Sequence, residues 1–177
     1  MKKLFVVLIA FLSFSFAKAQ DTGVKLGVHL DIPVGDASDI TSIGFGGDIA
    51  YMFDISEEFK VGPSIGYLNY TGKKEHGEKR DNLGFVPIAG SAKYSLAENF
   101  FIGADLGYAI GVSPSYNKGG FYYLPKLGYQ IDLFEAYVGY KGISNKFEAS
   151  EDFMGSTFSV SKTENLGAIV IGFNYNF

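Results

Sequence analysis

The chain has 177 residues, 47% hydrophobic and 19% charged, so it is neither disordered nor polyionic. It contains no cysteine, which excludes a disulfide scaffold, Cys-ligated zinc or iron–sulfur sites, a thiol nucleophile and a lipid anchor on an N-terminal cysteine. A formal charge of −4 argues against binding nucleic acid through a broad basic face, and 23 glycines beside 17 Phe and 12 Tyr, with five prolines and no Trp, is the oddity a fold must explain.

Met1-Lys2-Lys3 is a positive leader, Leu4 to Phe16 is uncharged, and Ala17-Lys18-Ala19 has the small-x-small pattern of a cleavage site. The apolar run is too short to cross a bilayer as a helix. Residues 1–19 are therefore expected to be a secretory signal peptide cleaved after Ala19, with residues 20–177 forming one domain. Residues 1–19 carry three lysines and no acid, so their loss takes the formal charge from −4 to −7. No later segment is apolar for long enough to be a transmembrane helix.

From Gly23 onward the period is two. Val24, Leu26, Val28, Leu30 and Ile32 alternate with Gly23, Lys25, Gly27, His29 and Asp31, the pattern of a strand with two unlike faces. Seven more runs follow, with apolar phases carried by Ile43 to Phe53, Phe59 to Tyr67, Val86 to Tyr94, Phe100 to Ile110, Phe121 to Ile131, Phe134 to Tyr140 and Ile169 to Phe177. No segment has a helical period. Pro63, Pro87 and Pro125 fall inside strands, where proline cannot donate to a ladder, so local bulges are expected there. Eight such strands after a leader predict an all-β fold, an eight-stranded antiparallel up-and-down transmembrane β-barrel.

The connections alternate in length. Those at 33–42, 71–82, 113–118 and 144–164 are the longer, and those at 54–58, 95–99 and 132–133 the shorter. Short periplasmic turns and long outer loops predict that the odd-numbered connections face outward. Strand charges fall opposite the bulky apolar phase, which points the charges and small residues into a narrow lumen and the apolar side chains into lipid. Lys25, Asp48, Lys93, Asp105, Lys126, Glu135 and Lys141 are the expected lumen polar network, with Gln130 opposite Glu135 across the tight turn and Lys93 within diagonal reach of Asp105. Phe53, Phe59, Tyr94, Phe100, Tyr129, Phe134, Tyr175 and Phe177 cluster at the short-turn ends like an interfacial aromatic girdle.

The last six residues, Gly172-Phe173-Asn174-Tyr175-Asn176-Phe177, and the segment Gly84-Phe85-Val86-Pro87-Ile88 are the most specific motifs. With them the chain resembles the small bacterial outer-membrane β-barrel proteins, the OmpA/OmpX-like and porin-family set, over its whole mature length. The resemblance implies an outer-membrane location in a Gram-negative cell and contact with outer-membrane lipid and lipopolysaccharide. It also implies that Phe173, Tyr175 and Phe177 form the terminal signal read by the barrel-assembly machinery. No peptidoglycan-binding segment follows Phe177, so tethering to the cell wall is not expected.

Chemistry-bearing motifs are sparse. His29, beside Asp31, is expected as a lumen hydrogen-bonding residue and His76 as a loop residue; neither belongs to a Gly-x-Ser-x-Gly nucleophile motif. Asp36 and Asp39, or Glu148, Glu151 and Asp152, lack the spacing of a calcium loop. The glycines follow the two-residue period and not a phosphate-loop spacing. The expected function is non-enzymatic: a monomeric barrel without cofactor or metal, displaying loops for envelope integrity, adhesion or contact with an extracellular ligand, and not binding nucleic acid. The alternatives are a small porin-like channel and a soluble lipocalin-like binder of an apolar ligand, the latter with its apolar face inward.

Overall fold

The computed structural model describes residues 23–75, 78–153 and 156–177. The leader and its cleavage site, and His76, lie outside the described residues. Eight long strands follow the period-two runs: β1 Val24–Val34, β2 Thr41–Tyr51, β3 Phe59–Gly72, β4 Leu83–Ser95, β5 Phe100–Ser113, β6 Asn117–Ile131, β7 Phe134–Phe153 and β8 Ser156–Asn176. Each pairs antiparallel with its neighbour in sequence, and β8 pairs back onto β1, so the sheet closes into an up-and-down barrel. The tight turn at Asp132-Leu133, with Asp132 at a φ of 51°, sets Glu135 opposite Gln130.

Closure fixes what the two faces see. Leu30, Phe45, Ile65, Tyr108, Phe121, Val138 and Ile171 all point outward and are about half exposed. Contiguous apolar surface on this scale is foreign to a water-soluble monomer and is what a lipid-facing belt requires. It excludes the lipocalin-like arrangement. Aromatic pairs ring the short-turn end: Phe59 opposite Tyr94, Phe100 opposite Tyr129 and Phe134 opposite Tyr175. The Phe100 and Tyr129 centroids are 4.9 Å apart, and Tyr175 packs edge-on against both Phe134 and Phe177. A second row, Tyr67, Tyr108, Phe121, Tyr123 and Tyr140, lies toward the other end. From Phe100 to Tyr108 at about 3.3 Å per residue on a strand tilted by about 40°, the rows are roughly 20 Å apart in height, close to an apolar belt.

The structure departs from the sequence reading in four places. The prolines introduce no register shift; shifts occur instead at Thr41/Ile43 and Gly84/Phe85, near strand ends, and at Lys146/Phe147, opposite the start of β6. Proline removes a donor yet fits extended backbone, so it deletes a ladder bond without inserting a residue. The β3–β4 pairing accordingly skips Gly66 and Tyr67, opposite Pro87 and Val86. The first connection contains one helical turn, α1, Ala37–Ile40, where the sequence shows no helical period; Thr41 Oγ1 donates to the Ala37 carbonyl at 2.7 Å. The described residues of 144–164 are strand rather than loop, because β7 and β8 stay paired from Phe134↔Tyr175 to Phe153↔Ser156. The fifth connection shrinks to 114–116, because the end of β5 stays paired with β4 and the start of β6 with β7. Sidedness is thus expressed by strands that outrun the belt. Beyond Phe147 the β7 strand pairs only with β8, and β8 leaves β1 at Gly167, so a two-stranded ribbon stands clear of the barrel.

The fourth departure is the interior. It is not filled by small and charged groups alone: Leu68, Tyr70, Phe85, Phe101, Leu124, Tyr137, Ile143 and Val170 are buried inside. Glycine makes the room. Phe101 and Gly128 are cross-strand partners, and a Cβ on Gly128 would come within 2.2 Å of the ring. Tyr137 and Gly172 repeat the arrangement, again at 2.2 Å. Glycine opposite an inward ring accounts for part of the unusual composition.

A protease added to intact cells is expected to cut first in the β7–β8 ribbon or in 73–82. Primary cleavage in 54–58 or 96–99 would invert the orientation.

Candidate functional site

The interior polar groups sort into three sets along the barrel. At the short-turn end Glu135 is the hub: Lys93 Nζ donates to Glu135 Oε1 at 2.6 Å, Lys25 Nζ lies 3.7 Å from Oε2, and Asn174 Nδ2 donates to Oε2 at 2.8 Å. Lys93 also donates to Gln130 Oε1 and sits 4.6 Å from the centre of the Phe101 ring. All of these except Gln130 are buried. Bulk water is excluded, so the carboxylate is satisfied only by the two lysines and the amide.

The second set is Asp105 with Lys126 on adjacent strands, joined at 2.7 Å and 2.9 Å, the ammonium 5.3 Å from the centre of the Tyr137 ring. Ser91 Oγ donates to Ser64 Oγ at 3.0 Å beside it. Asp48 projects over Gly27, where a Cβ would come within 2.6 Å of its carboxylate, and makes no ion pair among the described residues. With His29, Ser64 and Asp105 it lines a void of about 20 Å³, room for about one water molecule.

The third set centres on Asp31, which is fully buried. Lys141 Nζ and the Tyr70 hydroxyl donate to Oδ2, both at 2.8 Å, and His29 Nδ1 lies 2.7 Å from Oδ1. The sequence places Asp31 among the inward strand charges but not in the expected network, and it does not point to Tyr70. Asp31 is in the charged phase of β1, a usable signal; Tyr70 follows the end of the run as read. Among the described residues the side-chain contacts of His29 are to Asp31 and Lys141, which orient the ring. Among the described residues no three His, Asp or Glu side chains converge as a metal site.

All seven sequence-expected residues therefore face the interior, but they do not join as one network. Lys93 reaches across the lumen to Glu135, and Asp105 pairs with Lys126 instead of Lys93. Direct reach across a closed eight-stranded barrel is shorter than the diagonal reading assumed, because strands that are distant in the sheet face each other. Phe173 and Phe177 point outward and are more than half exposed. The Phe177 N–H donates to the Val24 carbonyl at 2.9 Å, and Tyr175 is the partner of Leu26.

Replacing Lys141 by Met should strand a buried carboxylate and lower unfolding stability in lipid vesicles by about 3–5 kcal/mol. The double replacement Asp31→Leu with Lys141→Met should recover much of that loss. Urea titration of the heat-modifiable gel band measures both, and a single replacement without effect would show the pair is not energetically coupled.

No protein-family description matches the chain, and no curated protein matches it. Solved structures do. The outer membrane protein Ail of Yersinia pestis, in a phospholipid bilayer nanodisc, is 13% identical, with 86% of this chain and 99% of that chain covered at a TM-score of 0.50. The outer membrane protein AlkL, in lipid bilayers, is 14% identical, with 91% and 93% covered at 0.49. Eight antiparallel strands, a closed ladder, an apolar exterior and a filled interior give this chain the fold of the small outer-membrane β-barrel proteins.

Proposed function

We propose that the chain is an integral outer-membrane protein that acts through its outward loops and ribbon, by surface interaction, adhesion or envelope integrity, and not by catalysis or transport. The observation that carries this reading is the pairing of an outward apolar belt with an interior closed by ion pairs. A belt bounded by two aromatic rows holds the barrel at a fixed height in a bilayer. Inside, Lys25, Lys93 and Glu135 bridge the lumen at one end, and Asp31, Lys141 and Tyr70 bridge it further along. Leu68, Phe85, Ile143 and Leu166 fill the space beyond them. A porin-like path would need those charges to line an open passage rather than to contact one another. With the lumen shut, recognition is left to the ends of the strands.

The reading includes export by the leader with cleavage after Ala19, contact with lipid and lipopolysaccharide, and assembly as a monomer. Isolated outer membranes should hold the protein as a band that shifts on heating. Purified barrel in planar bilayers should give no steady conductance steps. Recovery in the soluble periplasmic fraction would overturn the membrane assignment, and stable single-channel steps would overturn the closed lumen.

Biogenesis follows from the same geometry. Phe177, Tyr175 and Phe173 lie on one face of the strand that must close against β1, so that no edge is left in lipid. Deleting Phe177 should reduce the folded, heat-modifiable fraction in the outer membrane and raise the periplasmic pool, with export unaffected. Equal folding of the truncated chain would show that the terminal ring is not an assembly signal.

A further inference from the structure

Where the strands outrun the belt, α1, the strand ends and the base of the ribbon enclose a cleft of about 460 Å³. That is within the usual size of a small-molecule site. Its apolar wall is Ile40, Leu83, Tyr116 and Phe147, with the two aromatic centroids 6.1 Å apart and the rings tilted by 42°. Its polar wall carries Arg80 and Lys162 against Asp81 and Glu164, so the formal charges cancel. Lys162 lies 2.6 Å from Glu164, and the Tyr116 hydroxyl donates to Asp81 at 3.3 Å. Partial burial, and after it the Asp81 carboxylate, raise the Tyr116 phenol above its ordinary pKa, so it remains a protonated donor at neutral pH.

A second observation concerns Asn145, which adjoins the cleft residues Phe147 and Glu164 without lining the cleft itself. Asn145 is the cross-strand partner of Glu164 and lies two residues barrel-ward of Phe147. It is fully buried, and neither its amide nitrogen nor its carbonyl oxygen has a hydrogen-bond partner. Native structures seldom leave such groups unsatisfied, and each costs free energy comparable to a lost hydrogen bond. An orphaned amide needs a donor and an acceptor together, which a hydroxyl supplies. An anionic or cationic ligand gains nothing from a wall of cancelling charge, and a purely apolar one would desolvate four charged groups without replacing their partners.

We propose that this cleft binds a neutral saccharide, with the Tyr116 and Phe147 rings against the apolar face of a sugar and its hydroxyls bonded to Asp81, Glu164 and Asn145. Phe147 is partly buried against the interior, and in this binding mode its ring must move aside for a hydroxyl to reach Asn145. The site rests on the reading of this end of the barrel as the outer one. Its ligand would be a neutral stretch of sugar on lipopolysaccharide or on a foreign glycan.

The test passes the full mature chain, in phospholipid nanodiscs, over printed neutral and acidic oligosaccharides. Core oligosaccharides released from lipopolysaccharide and glycans released from eukaryotic glycoproteins form separate arms, so the retained arm identifies the source. Neutral oligosaccharides should be retained. Tyr116→Ala, at an exposed turn, and Asn145→Leu, which removes the orphaned amide, should each weaken retention about tenfold. The heat-dependent gel shift reports that each variant has folded. Retention of acidic oligosaccharides alone, of none, or equally by wild type and both variants overturns the site. A chain that folds in the membrane with its heat shift but retains no sugar overturns the cleft and leaves the membrane-barrel reading standing.

Discussion

Ten residue pairs, from Lys25↔Asn176 to Val34↔Gly167, join the last strand to the first, and the rest of the molecule depends on that seam. Without it β1 and β8 would present unpaired N–H and C=O groups to hydrocarbon, where nothing replaces water as a partner. With it, every strand within the belt has two neighbours, and the alternation of side chains becomes a strict division between an outer and an inner surface. Leu26, Val28 and Leu30 face out along the seam with Phe173 and Ile171 beside them, while Lys25, Gly27, His29 and Asp31 face in.

The division sets a severe limit on the interior. Eight strands leave a lumen only one or two side chains wide, so a group entering from one wall meets the opposite wall. Most charges that would be solvated in a wider barrel find partners, around Glu135, Asp105 and Asp31, while Asp48 lines the small void instead. Rings must find recesses, which Gly128 and Gly172 supply. Aromatic and charged groups also contact each other, as Lys93 does over Phe101, so the polar and apolar fillings are one packing rather than two compartments.

The two ends of the filled barrel are unlike. The short-turn end is ringed on its outer face by aromatic pairs and joined by turns such as Asp132-Leu133, with the inward Lys25, Lys93 and Asn174 committed to Glu135. The other end carries α1, the cleft lined by Tyr116 and Phe147, and strands that continue past their partners. Its buried polar residues are not all committed, since Asn145 has no partner. The asymmetry leaves the unsatisfied polar group and the open cleft at the end with the longer strands.

Sequence alone determined the strand period, the number of strands, which phase faces lipid and which residues turn inward, because alternation is a local property that each strand carries without its neighbours. It also placed Gln130 opposite Glu135, since a two-residue turn leaves no choice of register. Only the closed structure decided which inward charges meet. Asp31 and Lys141 are 110 residues apart and Lys93 and Glu135 are 42 apart, and both pairs join strands that are not neighbours. Such contacts depend on the stagger and curvature of the whole barrel, which no strand encodes by itself. The rings opposite Gly128 and Gly172, and the continuation of β7 and β8 into a ribbon, were hidden for the same reason. A glycine beside a strand reads as a weak position until the partner that fills its space is known, and a polar segment such as 144–164 reads as loop until its partner strand runs alongside it.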